Sequence, residues 1–150
     1  MSAETDLVKL YSGRILALTT EIPHQKRLEA PSATVKRRAP LCGSTVTVDV
    51  VVEDGRITGY GQDVKACALG QAAAAIVGKN VIGTDRAQIV AGRDALKAML
   101  KEDGPTPPAP FEELEILRPA KDYRNRHASI LLTLEALTEA MDRIDRSDCA

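Results

Sequence analysis

The segment from residue 45 to residue 65 has the clearest pattern of hydrophobic and polar positions in this chain. Valines occupy the even positions from 46 to 52 and alternate with threonine and aspartate as far as Asp49, which is typical of a strand with one buried face. Asp54-Gly55 follows, and this dipeptide favours a two-residue turn because glycine accepts a positive φ without strain. The segment therefore predicts a β-hairpin.

Four other segments have the period or the composition of helices. Apolar side chains recur every three or four residues over 4–20, about 84–102 and 123–144, as they do on the buried face of an amphipathic helix. The alanine-rich stretch over about 67–78 is helix-forming by composition. We expect the last helix to be the longest, because its apolar stripe is unbroken.

Shorter signals complete the predicted fold. Residues 33–36 predict a strand between two prolines, and Thr84 is a plausible N-cap. Residues 111–117 predict a short helix that Pro119 ends. Together the elements predict an α+β fold, with a small antiparallel sheet of about three strands, helices packed on one face and a long C-terminal helix.

Composition and charge exclude several classes of protein. The 150 residues are 44% hydrophobic and 27% charged, with a net charge of −1, which predicts one globular domain over 1–150, with a polar tail from about 145, and argues against nucleic-acid binding. No run approaches the roughly 18 apolar residues of a membrane span, and no signal-peptide pattern begins the chain. We therefore expect a cytoplasmic protein with reduced thiols.

No Ser-His-Asp or paired-carboxylate motif stands out, which argues against a classical enzyme.

Two of the three cysteines lie at the ends of the predicted hairpin. If Glu53 pairs with Arg56 across the turn, an unbroken register places Cys42 opposite Cys67, whereas a bulge at a glycine of the second strand would shift the pairing by one residue. Facing thiols suit either a disulfide or two ligands of one metal ion. Cys67 also begins a predicted helix, and unpaired amides at a helix N-terminus favour a thiolate.

Two more residues are candidate ligands. His127 lies one helical turn before Leu131 and would approach the cysteines if the last helix packs on the sheet; the alternative is a capping or partly buried histidine. Cys149 lies in the polar tail and would reach the same site only if the tail folded back or came from another subunit. Otherwise it is an incidental exposed thiol.

The order and spacing of these motifs resemble a known family. P-L-C-G-S at 40–44, D-G-R-I at 54–57 and A-C-A-L-G-Q-A at 66–72 resemble the NifU/IscU/SufU iron–sulfur cluster assembly scaffolds, which carry N-P-x-C-G-D, a hairpin and G-C-(A/S)-I-S-x-A-S. I-P-H-Q-K-R-L-E-A-P at 22–31 is similar to their H-Y-x-x-P-R-N, and R-H-A-S-I-L-L at 126–132 to their R-x-x-C-x-x-L. The likeness covers about 24–137.

The chain departs from the family pattern at two ligand positions. Ser44 stands where the family has an aspartate, and the third cysteine is missing. One alignment places Ser129 at that third position. A second alignment, which keeps His127 in the H-C-S-I-L motif of the IscU branch, places Ala128 there. The chaperone-binding L-P-P-V-K motif of the IscU branch is absent, and the proline-rich segment 103–110 that lies nearby looks more like the SufU branch.

The resemblance implies a scaffold for iron–sulfur cluster assembly rather than an enzyme. Cys42 and Cys67 would hold iron and sulfide, or another thiophilic metal such as zinc, with His127 as a further metal ligand. The cluster would be held transiently and transferred to client proteins, and a cysteine desulfurase is the implied sulfur donor. The alternatives are a SufU-like zinc-dependent sulfur acceptor and a non-catalytic interaction module that retains the fold. The oligomeric state does not follow from the sequence.

Overall fold

The computed structural model describes residues 13–40 and 43–148. It has the predicted α+β fold, in which one antiparallel sheet of three strands in the order β1-β2-β3 is combined with helices. The strands are β1 (Ala33–Arg38), β2 (Thr45–Glu53) and β3 (Arg56–Lys65). The helices of the described residues are α1 (Gly13–Thr19), α2 (Ala68–Asn80), α3 (Arg86–Glu102), a 3₁₀-helix (Glu112–Asp122) and the long α4 (Arg124–Asp148).

One face of the sheet is packed against α2 and α4. The even-numbered valines of β2 point to this face and are at most 1% exposed from Val46 to Val50. In α2 the alanines at 72–75 are all buried, and their small side chains let the helix lie close to its neighbours. The alternating valines that predicted a strand with one buried face therefore lie on the face of the sheet that packs against the helices.

The other face of the sheet is covered by the loop that leads into β1. A Cβ added to Gly61 of β3 would collide with the backbone carbonyl of Lys26 and lie 3.2 Å from Cγ of Leu28. The backbone amide of Leu28 also donates to the carboxylate of Asp49 on β2, at 3.0 Å. Glycine at position 61 thus allows the loop to lie directly on the strand.

The β2–β3 register differs from the unbroken one. Asp54 and Gly55 form the predicted turn, with φ of 53° and 79°, and Glu53 pairs with Arg56. The register then shifts between Val51 and Val52, so that the ladder ends with Thr45 opposite Lys65. The bulge beside a glycine is confirmed, and the unbroken register that would place Cys42 opposite Cys67 is wrong. Cys42 itself lies outside the described residues.

The predicted N-cap of α3 is also corrected. Asp85, not Thr84, is the N-cap of α3: its carboxylate accepts from the Gln88 amide at 2.9 Å, and the Gln88 side chain accepts from the Asp85 amide at 3.1 Å. This reciprocal pair is a capping box. The buried Thr84 hydroxyl instead donates to the Val81 carbonyl at 2.6 Å.

The segment after the proline-rich loop forms a 3₁₀-helix that continues through Pro119. The prediction that Pro119 ends a helix was wrong. The fixed φ of proline is compatible with a 3₁₀ turn, and its missing N–H removes one hydrogen bond only. Phe111 precedes this helix and is fully buried. Its ring lies so close to Gly92 of α3 that a Cβ there would be 2.7 Å from it.

The predicted first helix is described in part. Residues 13–19 are helical, and Ile15 and Leu18 are buried at 0% and 1% exposure. The rest of the prediction, residues 4–12, lies outside the described residues. In the part of the chain that the structure describes, no helix has the length and apolar character that a membrane crossing requires.

Candidate functional site

Cys67 lies where the sheet gives way to a helix. β3 ends at Lys65, and Cys67 is the N-cap of α2, with an extended backbone at φ −66° and ψ 169°. Its side chain is partly buried. The predicted position of Cys67 at a helix N-terminus is confirmed. This position directs the unpaired amides of the first helical turn, and the positive end of the helix dipole, towards the sulfur.

Two buried serines complete what we call the Cys67 cluster: Cys67, Ser129 of α4 and Ser44 just before β2. Sγ of Cys67 lies 3.5 Å from Oγ of Ser129, which donates to Oγ of Ser44 at 3.0 Å. Ser129 is 2% exposed and Ser44 4%. The structure thereby decides between the two alignments, since Ser129, and not Ala128, meets Cys67.

The surroundings of Cys67 favour its thiolate. Burial by itself raises the pKa of the thiol. The Ser129 hydroxyl, the amides of Leu69 and Gly70 and the charge of Arg126 together outweigh burial, so that the pKa lies below that of an ordinary cysteine. Neither amide makes a hydrogen bond of normal geometry to the sulfur, and their effect is that of dipoles aimed at a developing negative charge.

The serine pair can serve both protonation states of the sulfur. A hydroxyl carries one proton, which rotates to suit its neighbours. With a neutral thiol, Cys67 donates to Ser129 and Ser129 donates to Ser44. With a thiolate, the Ser129 proton turns towards the sulfur. The cluster therefore accommodates charge on Cys67 without moving a heavy atom.

Gly70 makes room for this arrangement. A Cβ at Gly70 would collide with Oγ of Ser129 and would lie 2.9 Å from Cβ of Ala66. The glycine costs helix propensity in α2. In return, α4 approaches the first turn of α2 closely enough for Ser129 to reach Cys67.

We expect Gly70→Ala to destabilise the protein by about 1–3 kcal/mol, because the added methyl group overpacks the contact between α2 and α4. It should also raise the pKa of Cys67, since the Ser129 hydroxyl is displaced. Urea denaturation and the pH dependence of iodoacetamide alkylation measure the two effects. Gly13→Ala is the matched control, because a Cβ there meets no heavy atom within 4 Å. If Gly70→Ala behaves like this control, the close approach is not required.

His127 is buried, with 6% exposure, on another side of α4. Its Nε2 lies 3.0 Å from the carbonyl oxygen of Ala120 and 3.1 Å from that of Lys121. It lies two positions before Ser129, a rotation of about 200° round the helix, and its described contacts do not include Cys67. This placement agrees with the partly buried histidine. A ligand role for His127 stays a prediction.

The other predicted thiols, Cys42 and Cys149, lie outside the described residues. Next to Cys42, the Gly43 amide donates to the Ala39 carbonyl at 3.0 Å, and the Ala39 amide donates to the Ser44 carbonyl at 2.8 Å. Among the described residues, no three His, Cys, Asp or Glu side chains are grouped to hold a metal ion. The described donors are one thiol, which suits thiophilic metals, and two hydroxyls, which are weak ligands for them.

The sequence did not assign a role to Arg126. It lies three residues before Ser129, and residues at this spacing share one face of a helix. Once Ser129 is placed against Cys67, the charge of Arg126 necessarily belongs to the same side of α4. The motif at 126–132 contains Arg126, but the side of α4 on which it lies relative to Cys67 follows only when Ser129, and not Ala128, is known to contact Cys67.

A three-stranded antiparallel sheet with helices on one face defines an α+β domain, and its candidate site is the cysteine at the N-terminus of the helix that follows the last strand. In sequence and structure the chain is similar to the N-terminal domain of a nitrogen-fixing NifU-like protein from Brucella abortus. The two are 39% identical, the match covers 94% of this chain and 98% of that one, and the TM-score is 0.92. The chain belongs to the NifU/IscU/SufU-like family.

The fold also extends to more distant proteins. A putative iron–sulfur cluster assembly scaffold protein for the SUF system of Fervidobacterium islandicum is 17% identical, with 89% of this chain and 98% of that chain covered and a TM-score of 0.81. At this identity the likeness concerns the fold alone. No family model and no curated protein sequence matches the chain.

Proposed function

We propose that this chain is a scaffold for iron–sulfur cluster assembly, on which iron and sulfide are brought together at Cys67 and Cys42 and passed to client proteins. The observation that carries the proposal is the Cys67 cluster, in which a thiol with a lowered pKa lies at a helix N-terminus. Membership of the NifU/IscU/SufU-like family supports it. The iron–sulfur cluster is cargo that the chain receives and releases, so the chain acts as a carrier and not as an enzyme.

Cys42 is the proposed second thiolate. It precedes Ser44 by two residues, a separation that an extended chain spans in about 7 Å, and Ser44 is part of the Cys67 cluster. Two thiolates and two hydroxyls leave a weaker ligand set than three thiolates and a carboxylate. We infer that cargo is held loosely, with coordination positions open for sulfide or for a group from a partner. His127 of this chain remains a candidate for one of these positions.

A second function, sulfur acceptance from a cysteine desulfurase, is favoured by the same lowered pKa. The Cys67 thiolate attacks the terminal sulfur of a donor persulfide, and a new S–S bond forms as the S–S bond of the donor breaks. The donor leaves as a thiolate, and the proton stays on the transferred sulfur. The step needs one thiolate only, with or without zinc, and Cys67 meets this requirement.

We expect Cys67→Ser to abolish cargo binding, because serine replaces the activated thiolate with a weak, neutral donor. The protein is purified without oxygen and incubated with iron, cysteine and a cysteine desulfurase. Iron, zinc and acid-labile sulfide are then measured per chain. Cys149→Ser is the matched control and should behave like the unaltered protein, and Cys42→Ser tests the second thiolate.

Each outcome separates the proposals. Iron with sulfide, lost in Cys67→Ser and retained in Cys149→Ser, supports the scaffold. A persulfide on Cys67 detected by mass spectrometry, without iron and sulfide, supports the sulfur acceptor. If the unaltered protein carries no metal, sulfide or persulfide, both are contradicted, and the chain is an interaction module with the family fold.

A further inference from the structure

A cleft of about 880 Å³ lies between α3 and α4. Arg93, Lys97 and Lys101 line one wall; they are spaced four residues apart and therefore lie on one face of α3, over about 12 Å. Arg124 lines the opposite wall at the start of α4. We call this the cationic cleft.

Most of the positive charge in the cationic cleft is not neutralised. Arg93 is paired with Asp94, which also lines the cleft, at 2.9 Å. Lys97, Lys101 and Arg124 are exposed and make no ion pair with any side chain of 13–40 or 43–146. The acid on the other wall, Glu135, lies 4.0 Å from Arg37 and is thereby already partly compensated. Three cations are left along one groove of a chain whose net charge is −1.

The floor of the cationic cleft is partly apolar. Ala128 and Leu131 of α4 line it beside the largely buried His127, and Leu131 retains 6% exposure. Ala128 is the neighbour of Ser129, which contacts Cys67 on another side of the same helical turn. A molecule lying in the cleft is thus held beside the sulfur site without covering it.

We propose that the cationic cleft is the docking surface for an acidic amphipathic segment of a partner protein. The unpaired cations are spread along the groove, with Lys97 and Lys101 about 6 Å apart along α3 and Arg124 on the opposite wall. This spread suits carboxylates spaced along a peptide, whereas a compact anion is held by charges that converge on one point. The apolar part of the floor accommodates the hydrophobic side chains of such a segment, as in other complexes of a helix in a groove. The charges would speed encounter and fix the orientation of the partner.

The probe for this proposal is a fluorescein-labelled helical peptide with glutamates on one face and leucines on the other. Binding is followed by fluorescence anisotropy at low and at high salt, with the full chain. The double variant Lys97→Glu/Lys101→Glu should weaken binding at least about tenfold at low salt. Lys26→Glu/Lys36→Glu makes the same change of charge at exposed positions elsewhere and should leave binding unchanged.

The two proposals fail separately, because the alkylation rate of Cys67 should be the same in both double variants. The docking proposal is overturned if the control variant weakens binding as much as the cleft variant does, or if a glutamine version of the peptide binds equally well. It is also overturned if inorganic tripolyphosphate displaces the peptide and itself depends on Lys97 and Lys101, since the cleft would then be a site for small anions.

Discussion

The double variant Ser44→Asp/Ser129→Cys should bind zinc at least about a hundredfold more tightly than the unaltered chain. It adds two anionic ligands at positions that the Cys67 cluster already brings together. The free energy of zinc binding at structural sites with four ligands is about 10–16 kcal/mol, or roughly 3 kcal/mol for each ligand. One effective ligand therefore accounts for about a hundredfold in affinity.

The spacing of the cluster suits this change. Neighbouring donor atoms of a tetrahedral site with Zn–S near 2.3 Å and Zn–O near 2.0 Å lie about 3.3–3.8 Å apart. Cys67 Sγ and Ser129 Oγ are 3.5 Å apart, and Ser129 Oγ and Ser44 Oγ are 3.0 Å apart. Cysteine at 129 changes one atom of the side chain, so the substitution fits a site that is now filled by a hydroxyl.

Competition with a chromophoric chelator, under reducing conditions, measures the gain in zinc affinity. Ser129→Cys alone should give part of the gain, which protects the test against misfolding of the double variant. Adding Cys67→Ser to the double variant should remove the gain. Zinc affinity that rises regardless of Cys67 would show that the metal binds elsewhere, and the assignment of the three positions to one site would be refuted.

Asp49→Ala should destabilise the protein by about 3 kcal/mol. Asp49 is fully buried, and its carboxylate accepts four hydrogen bonds that join the loop before β1 to the sheet. The donors are the guanidinium of Arg27, at 2.7 and 3.2 Å, the Leu28 amide at 3.0 Å and the Thr34 hydroxyl at 2.5 Å. Alanine leaves the amide and the hydroxyl without their acceptor, and each loss costs about 1–3 kcal/mol when the group stays buried. The side chain of Arg27 is 56% exposed, so solvent limits the contribution of the ion pair.

The effect of Asp49 should depend on pH. Burial raises the pKa of Asp49, but the hydrogen bonds from Arg27, Thr34 and Leu28, with the charge of Arg27, outweigh it, so the pKa is lowered on balance. A folded-state pKa below that of the unfolded chain means that the stabilisation is complete above the unfolded value, about 3.9, and is lost as the pH falls through the folded value.

Urea denaturation between neutral and acidic pH tests both parts of the prediction. The difference in free energy of unfolding between the unaltered protein and Asp49→Ala should be largest near neutrality and should shrink below about pH 4. Glu53→Ala removes an exposed carboxylate from the same strand and should change stability by no more than about 0.5 kcal/mol. Equal effects of the two substitutions would contradict the role of the Asp49 network.

Local patterns in the sequence were enough for most elements of the fold. The hairpin, its Asp54-Gly55 turn, the alanine-rich helix after Cys67 and the long last helix are each determined by neighbouring residues, and the structure contains all of them. Cys67 was placed correctly at a helix N-terminus for the same reason. Its neighbours along the chain decide where the strand ends and the helix begins.

The sequence left open what depends on contacts between distant segments. The register of β2 and β3 shifts at Val51 and Val52, where Gly59 of β3 lies under the loop residue Leu28, and no local pattern selects this bulge over an unbroken ladder. Thr84 and Asp85 are both good N-caps, and only Asp85 finds its partner in Gln88.

The Cys67 cluster itself was decided by tertiary structure. Ala128 and Ser129 differ by about 100° of rotation round α4, and the packing of that helix on the sheet and on Gly70 determines which one meets Cys67. The cationic cleft has the same origin, since α3 and α4 must pack side by side before Lys97 and Arg124 face one groove. The sequence by itself thus determined the elements and the position of Cys67 at a helix N-terminus, while the rotation and packing of the helices determined which side chains surround them.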